Sequence, residues 1–225
     1  MTFLELCQRT ASEGGIEGAL ATVDNQSGMN AKIIKWVRDA WSELQTQKRW
    51  LFMRANANVA LVVAQNDYSI SGDLGLTNVT SWCLPKFYAT DANGTYQIAM
   101  LGYGEYQQTY MGKEVQAARP SVCAVAPGYR LAFNNAPTIA TTIKNDYWMT
   151  PQKLTLDADE PNMNEAWHMA IVFKALRSYA EHEESPEMQR RARRQFMNIF
   201  TEMCKVELPA FEIRPVPMAW GIRDA

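Results

Sequence analysis

"MNAKIIKWVRDAWSELQTQKRWLF", residues 29–52, sets Ile33, Val37, Ala40, Trp41 and Leu44 on one side of a helix. Lys35, Arg38, Asp39 and Glu43 take the other side. A 3.6-residue recurrence of that length predicts a long amphipathic helix. From about residue 55 the period changes. "NVALVV" (58–63), "DYSI" (67–70), "NVTSWCL" (78–84), "KFYAT" (86–90), "TYQIAML" (95–101), "SVCAVA" (121–126), "YRLAF" (129–133) and "TIATTIKNDYW" (138–148) are short, β-branched or aromatic runs. Such runs predict strands. Turn chemistry separates them: "DANG" (91–94), and "APGY" (126–129), where Pro127-Gly128 suits the centre of a type II turn. Two hairpins within an antiparallel sandwich or barrel are expected, and "GYGEYQQTYMGKE" (102–114) between them reads as a short helix with loops.

Helical patterning lies on both sides of this β segment. "TFLELCQRTASEGG" (2–15) places Phe3, Leu6 and Cys7 together, with Thr2 as cap and Gly14-Gly15 as stop. After "DADEPNMNEAW" (157–167), where Asp159 or Asn162 can cap and Pro161 suits a helix entry, Ala166, Met169, Ala170, Phe173, Leu176 and Ala180 form an apolar stripe. Ser185-Pro186-Glu187 starts one more helix, its buried face predicted as Met188, Ala192, Phe196, Ile199 and Met203. The fold class expected is α+β. Residues 1–54 and 151–208 would form one discontinuous antiparallel helical bundle, 55–150 an inserted antiparallel β domain, and 209–225 an extended C-terminal tail.

The tail is unusual. "LPAFEIRPVPMAWGIRDA" (208–225) holds Pro209, Pro215 and Pro217, which bar a continuous helix, and yet it carries Phe211, Ile213, Met218 and Trp220. Most chain ends are polar and frayed, so large apolar side chains on a segment whose backbone cannot fold into a compact unit of its own are unexpected here.

Composition narrows the function. The chain has 225 residues, 47% hydrophobic and 20% charged, with a net charge of -2, which gives no general attraction to nucleic acid or anionic lipid. No apolar run approaches the roughly 18 residues of a membrane span, and "MTFLELCQRT" (1–10) lacks the basic start and apolar core of a signal peptide. A soluble chain, not exported and not membrane-bound, is expected. Cys7, Cys83, Cys123 and Cys204 are widely spaced, with no CxxC pair, and read as reduced thiols rather than a disulfide frame or zinc site.

Catalytic signatures are weak. His168 and His182 stand outside any ligand spacing and read as structural histidines. "GYGEY" (102–106) lacks the third glycine and the βαβ setting of a dinucleotide cradle, and Asp157/Asp159 read as helix-entry residues rather than a glycosidase pair. No catalytic residue, cofactor or metal is expected. "QRRARRQF" (189–196) is the densest basic cluster, but "EHEES" (181–185) nearly cancels it. A solvated face or a contact with acidic protein surface is favoured over DNA. Arg190 and Arg194, opposite Phe196, are the residues expected to touch a neighbouring subunit or partner.

Over nearly its whole length the chain resembles the head-to-tail adaptor, or connector, proteins of tailed bacteriophages. The resemblance rests on "IIKWVRDAWSELQTQKRWLFMR" (33–54), "DYSISGDLGLTNVTSW" (67–82), "ARPSVCAVAPGYRLAFNNAPTIATTIKNDYWMTPQKL" (118–154) and "DEPNMNEAWHMAIVFKALRSYAEHEESPEMQRRARRQF" (159–196). "NNAP" (134–137) departs from the "PAP"-like segment common in that family. The resemblance implies a structural virion protein of the neck: a dodecameric ring under the portal protein that extends the DNA channel without sequence-specific DNA binding. It also implies a platform for tail or nozzle proteins and C-terminal extensions reaching between portal subunits, with Phe211, Ile213, Arg214, Pro215, Met218, Trp220 and Arg223 as the portal contacts of the tail; the competing reading folds the tail back onto its own bundle. The alternatives are another neck or tail-completion protein and, more remotely, a virion-associated hydrolase.

Overall fold

The computed structural model describes residues 1–16, 20–111 and 119–208 of the chain. Helix α1 (Phe3–Glu13) begins with a reciprocal cap: Glu5 N–H donates to Thr2 Oγ1 (3.2 Å) and Thr2 N–H to Glu5 Oε2 (2.8 Å). It ends at Gly14, where a Cβ would stand 2.9 Å from the Tyr179 ring, so the close approach of another helix requires glycine there. Helix α2 (Gly28–Gln47) buries Ile33, Val37, Ala40, Trp41 and Leu44, the five side chains its periodicity selects. A 3₁₀ turn (Leu51–Met53) then leads into the sheet.

The strands are β1 (Arg54–Leu61), β2 (Asp67–Ser69), β3 (Val79–Trp82), β4 (Lys86–Asp91), β5 (Gly94–Leu101), β6 (Val122–Ala126), β7 (Arg130–Phe133) and β8 (Thr141–Met149). They form one sheet in the order β1-β8-β4-β5-β6-β7-β2, with β3 beside the C-terminal half of β8. The expected two-layer sandwich or closed barrel is thus corrected to a single curled sheet. Both predicted hairpins are present. β4 and β5 turn between Asp91 and Gly94, with Asn93 N–H held by Asp91 Oδ1 at 2.8 Å; β6 and β7 turn over Pro127-Gly128, where Gly128 has the φ of +80° that a type II turn needs. One pairing is parallel, β5 with β6. A parallel neighbour demands a crossover, and the stretch between the hairpins, which includes helix α3 (Tyr103–Tyr110), is long enough to make it.

Helices α4 (His168–His182) and α5 (Pro186–Glu207) complete the molecule. Helix α4 packs against α1, α2 and α5, so the single stripe predicted for it is too narrow. Ile171, Val172, Ala175 and Tyr179 are buried along with Ala170, Leu176 and Ala180, whereas Ala166 is exposed in a 3₁₀ turn (Glu165–Trp167) and Met169 and Phe173 are half-covered. Neither Asp159 nor Asn162 caps this entry. Asn164 Oδ1 accepts from Ala166 N–H (2.9 Å), and the Asp159 carboxylate instead receives Thr155 and Leu156 N–H (2.6 and 2.8 Å). In α5 the predicted face is only partly buried: Ala192 and Met203 are covered, Met188, Phe196 and Ile199 half-covered. Its N-cap is Ser185 with Pro186 in the first turn, though the Ser185 hydroxyl makes no cap hydrogen bond.

The extended chain leaving β8 laces the helices together. Asp157 Oδ1 accepts Val23 N–H at 2.6 Å, Asp159 O accepts Phe3 N–H at 2.7 Å, and Arg38 Nε donates to Leu154 O at 3.0 Å. Gln45, 2% exposed, binds both backbone polar groups of Gln152, donating to its carbonyl (3.0 Å) and accepting its N–H (2.7 Å). The apolar side chains gather accordingly. One cluster joins α1, α2 and α4 around Phe3, Trp41 and Trp50; another lies on the sheet around Tyr68, Phe87, Ile98, Phe133 and Ile143.

Candidate interaction surfaces

Helix α5 presents its outer face because it packs on α4 and leaves its far side uncovered. Arg190 and Arg194 lie there, exposed, as the wheel predicts. Arg190 Nε donates to Pro186 O at 3.2 Å, one turn back, so its guanidinium lies along the helix N-terminus. No carboxylate among the described residues pairs with Arg190, Arg193 or Arg194. Glu187, three and four residues before Arg190 and Arg191, forms an ion pair with neither. Arg191 instead reaches Glu13 of α1 (2.9 Å), a carboxylate that Arg9 also holds (2.8 Å), so one cation of the cluster is spent on joining α1 to α5. On the inner side Lys174 stands over the Phe196 ring at 5.4 Å. The exposed Met197 and Val206 add apolar area to the outward side of the helix.

A second surface lies where α5 ends. Leu208, in extended conformation, lines a cleft of about 460 Å³ with Lys48, Arg49, Arg54, Cys83, Leu84 and Trp148. Arg49 covers the Trp148 ring at 5.7 Å, while Arg54 is ion-paired with Asp146. The Asn56 amide first, and then Arg54, hold the Asp146 carboxyl below the usual carboxylate range. The predicted tail contacts Phe211, Ile213, Arg214, Pro215, Met218, Trp220 and Arg223 lie outside the described residues.

The sequence reading missed a third surface. Tyr103, Tyr106 and Tyr110 stack along α3, with ring centroids 6.4 and 5.9 Å apart. They line a groove of about 480 Å³ with Asn66, Asp67, Arg130 and Phe133. Tyrosines three and four residues apart in "GYGEYQQTY" (102–110) were the available signal, since that spacing puts them on one helix face.

The titratable groups are shaped by burial. Cys7 and Cys123 are buried and their thiols are pushed up to about 12, which keeps them protonated and poorly nucleophilic. His168, 3% exposed, receives the Met1 ammonium at Nδ1 (3.0 Å) and places Nε2 3.3 Å from Met163 O. Burial first, and the Met1 ammonium second, lower its pKa. His182 is exposed, 2.9 Å from Lys32 Nζ and against the Trp36 ring. No group of three or more His, Cys, Asp or Glu side chains among the described residues is arranged to hold a metal. No helix among them is long and apolar enough to cross a membrane.

The described residues combine a laced helical core with an inserted curled sheet. The chain belongs to the SU10 adaptor protein family, whose model matches residues 1–216. This is a family of phage head-to-tail adaptors, structural rather than enzymatic, with portal and tail partners. No curated protein matches the chain.

Proposed function

We propose that the protein is a virion neck component that assembles as a ring, on the order of twelve copies, beneath the portal. The ring would continue the DNA channel and form the platform on which tail or nozzle proteins attach. The carrying observation is the family match over residues 1–216. Three further features support it. The helical parts are stapled into one body, by the Gln45–Gln152 pair and the Arg191–Glu13 bridge, which suits a load-bearing ring segment. The outer face of α5 offers Arg190 and Arg194 to an acidic neighbour. The tail 209–225 supplies hydrophobic anchors for pockets on the portal, and its prolines lower the entropy lost on ordering.

In this reading the free chain is a monomer or weakly associated, because the tail's apolar anchors are matched to a platform rather than to another tail. Sedimentation of the isolated protein should give the mass of one chain, and addition of portal rings should recruit it into a larger complex of fixed stoichiometry. Imaging of that complex should show a second ring below the portal. A stable ring without portal would overturn the assembly order, and no recruitment at all would overturn the portal-bound reading in favour of another neck position.

A further inference from the structure

The sheet has two ends, and they are built differently. β2, at one end, is three residues long, and an Asp67–Arg130 ion pair ties it to β7. Short, charged edges resist further pairing. β1, at the other end, pairs with β8 at all eight of its positions without a register shift. No strand among the described residues pairs with its outer edge. This edge is long and regular. It has no proline, lysine or bulge, and its one charged residue, Arg54, is engaged by Asp146. Asn56, Asn58 and Ala60 are exposed along it, and the chain continues into exposed Val62 and Val63. An unguarded edge of this length is a template for another strand.

The same chain holds a strand that fits it. Within Ala210-Phe211-Glu212-Ile213-Arg214 the last four residues alternate apolar and charged side chains, and Pro209 and Pro215 bound the segment, neither of which can donate a ladder hydrogen bond. Leu208 leaves α5 with extended backbone and lines a cleft with Arg54, the first residue of β1, with Trp148, the register partner of Arg54, and with Cys83 and Leu84 across β8. A chain continuing from Leu208 toward Leu61 therefore runs parallel to β1, and Ala210–Arg214 covers about 17 Å of an edge about 26 Å long.

We infer that Ala210–Arg214 adds to the outer edge of β1 as a ninth, parallel strand in the protein before it attaches to a partner. Phe211 and Ile213 fall on the side of Ala55, Ala57 and Val59, the face of β1 on which Ala57 and Leu61 are buried. Glu212 and Arg214 fall with Asn56 and Asn58 on the exposed side. Met218 and Trp220 lie beyond Pro215 and stay available for a partner. This inference does not rest on attachment to the portal.

Amide-resolved hydrogen exchange on the isolated full-length chain tests it. Alternate amides of 55–61, those pointing away from β8, should exchange at least about tenfold more slowly than in a chain truncated after Leu208. Ile213→Pro should bring these amides to the truncated chain's rates, since proline removes a ladder donor, whereas Trp220→Ala should leave them protected. Equal rates in the full and truncated chains overturn the inference. So does protection that persists in the truncation and grows with protein concentration, because a second copy would then be covering the edge. The assay contains no portal, so its outcome and that of portal recruitment are independent.

Discussion

Gln45 sits among apolar side chains on α2 and spends its amide on the backbone, Nε2 donating to Trp41 O (3.3 Å) and Gln152 O (3.0 Å) and Oε1 accepting Gln152 N–H (2.7 Å). Replacing it with leucine keeps the volume but strands a buried N–H and a C=O, each of which costs on the order of 1–3 kcal/mol when left without a partner. Gln45→Leu should therefore lower the denaturation midpoint by an amount equivalent to about 2 kcal/mol in chemical unfolding, with the slope unchanged. His168 adds a pH dependence. Its folded pKa lies below the ordinary value of 6.5, so the unfolded chain takes up the proton first as pH falls. The stabilisation it gives is complete above about pH 6.5 and is lost as pH falls below that value. Thermal melts should show this fall between pH 7.5 and 5.5, and His168→Gln, melted alongside, should show a flatter dependence.

At the scale of elements, the sheet and the helices carry separate apolar clusters, and we propose that 55–150 is a domain able to open on its own. The chain enters it at Arg54 and leaves it near Pro151, so few covalent connections transmit opening from one part to the other. The β4–β5 hairpin is secured by its own means: Arg119 grips Asp91 through two bonds of 2.7 and 2.6 Å and stacks on Tyr96 at 4.9 Å. Native-state hydrogen exchange should resolve an opening of the sheet below the free energy of global unfolding, with α2 and α4 amides retained. Exchange of sheet and helix amides at one common free energy would mean that the insertion is no separable unit. Asp91→Asn should speed exchange in β4 and β5 more than in β1 and β8, because it weakens the charge-assisted grip on Arg119.

For the whole molecule, the decisive experiment concerns the tail. Truncation after Leu208 should leave the helical core folded, because that core closes on residues up to Leu208, and should lower the melting temperature only by what the added strand contributes. It should nevertheless remove portal recruitment. Trp220→Ala should weaken recruitment most among single substitutions in the tail, by an amount on the order of 2 kcal/mol, as a large aromatic in a pocket does. Arg214→Ala and Arg223→Ala should weaken it less, with an effect that shrinks in high salt. Normal recruitment of the truncated chain would end the docking reading. A collapsed melt would show instead that the tail belongs to the fold.

The period of the apolar residues was enough to place α2, since Ile33, Val37, Ala40, Trp41 and Leu44 are all buried as their spacing requires. Turn chemistry was enough for both hairpins, because Asp91–Gly94 and Pro127-Gly128 restrict their own backbone whatever surrounds them. These are local properties, and the linear sequence carries them, as it carries the family resemblance. The wider burial of α4 was not legible, because it depends on being surrounded by three other helices rather than packed against one surface. Nor was the destination of Arg191, whose partner Glu13 is 178 residues away and outcompetes the nearby Glu187 only once α1 lies beside α5. The open edge of β1 has the same origin: an alternating strand looks alike at the centre or the rim of a sheet, and only the assembled order of strands determines which edge is left without a neighbour.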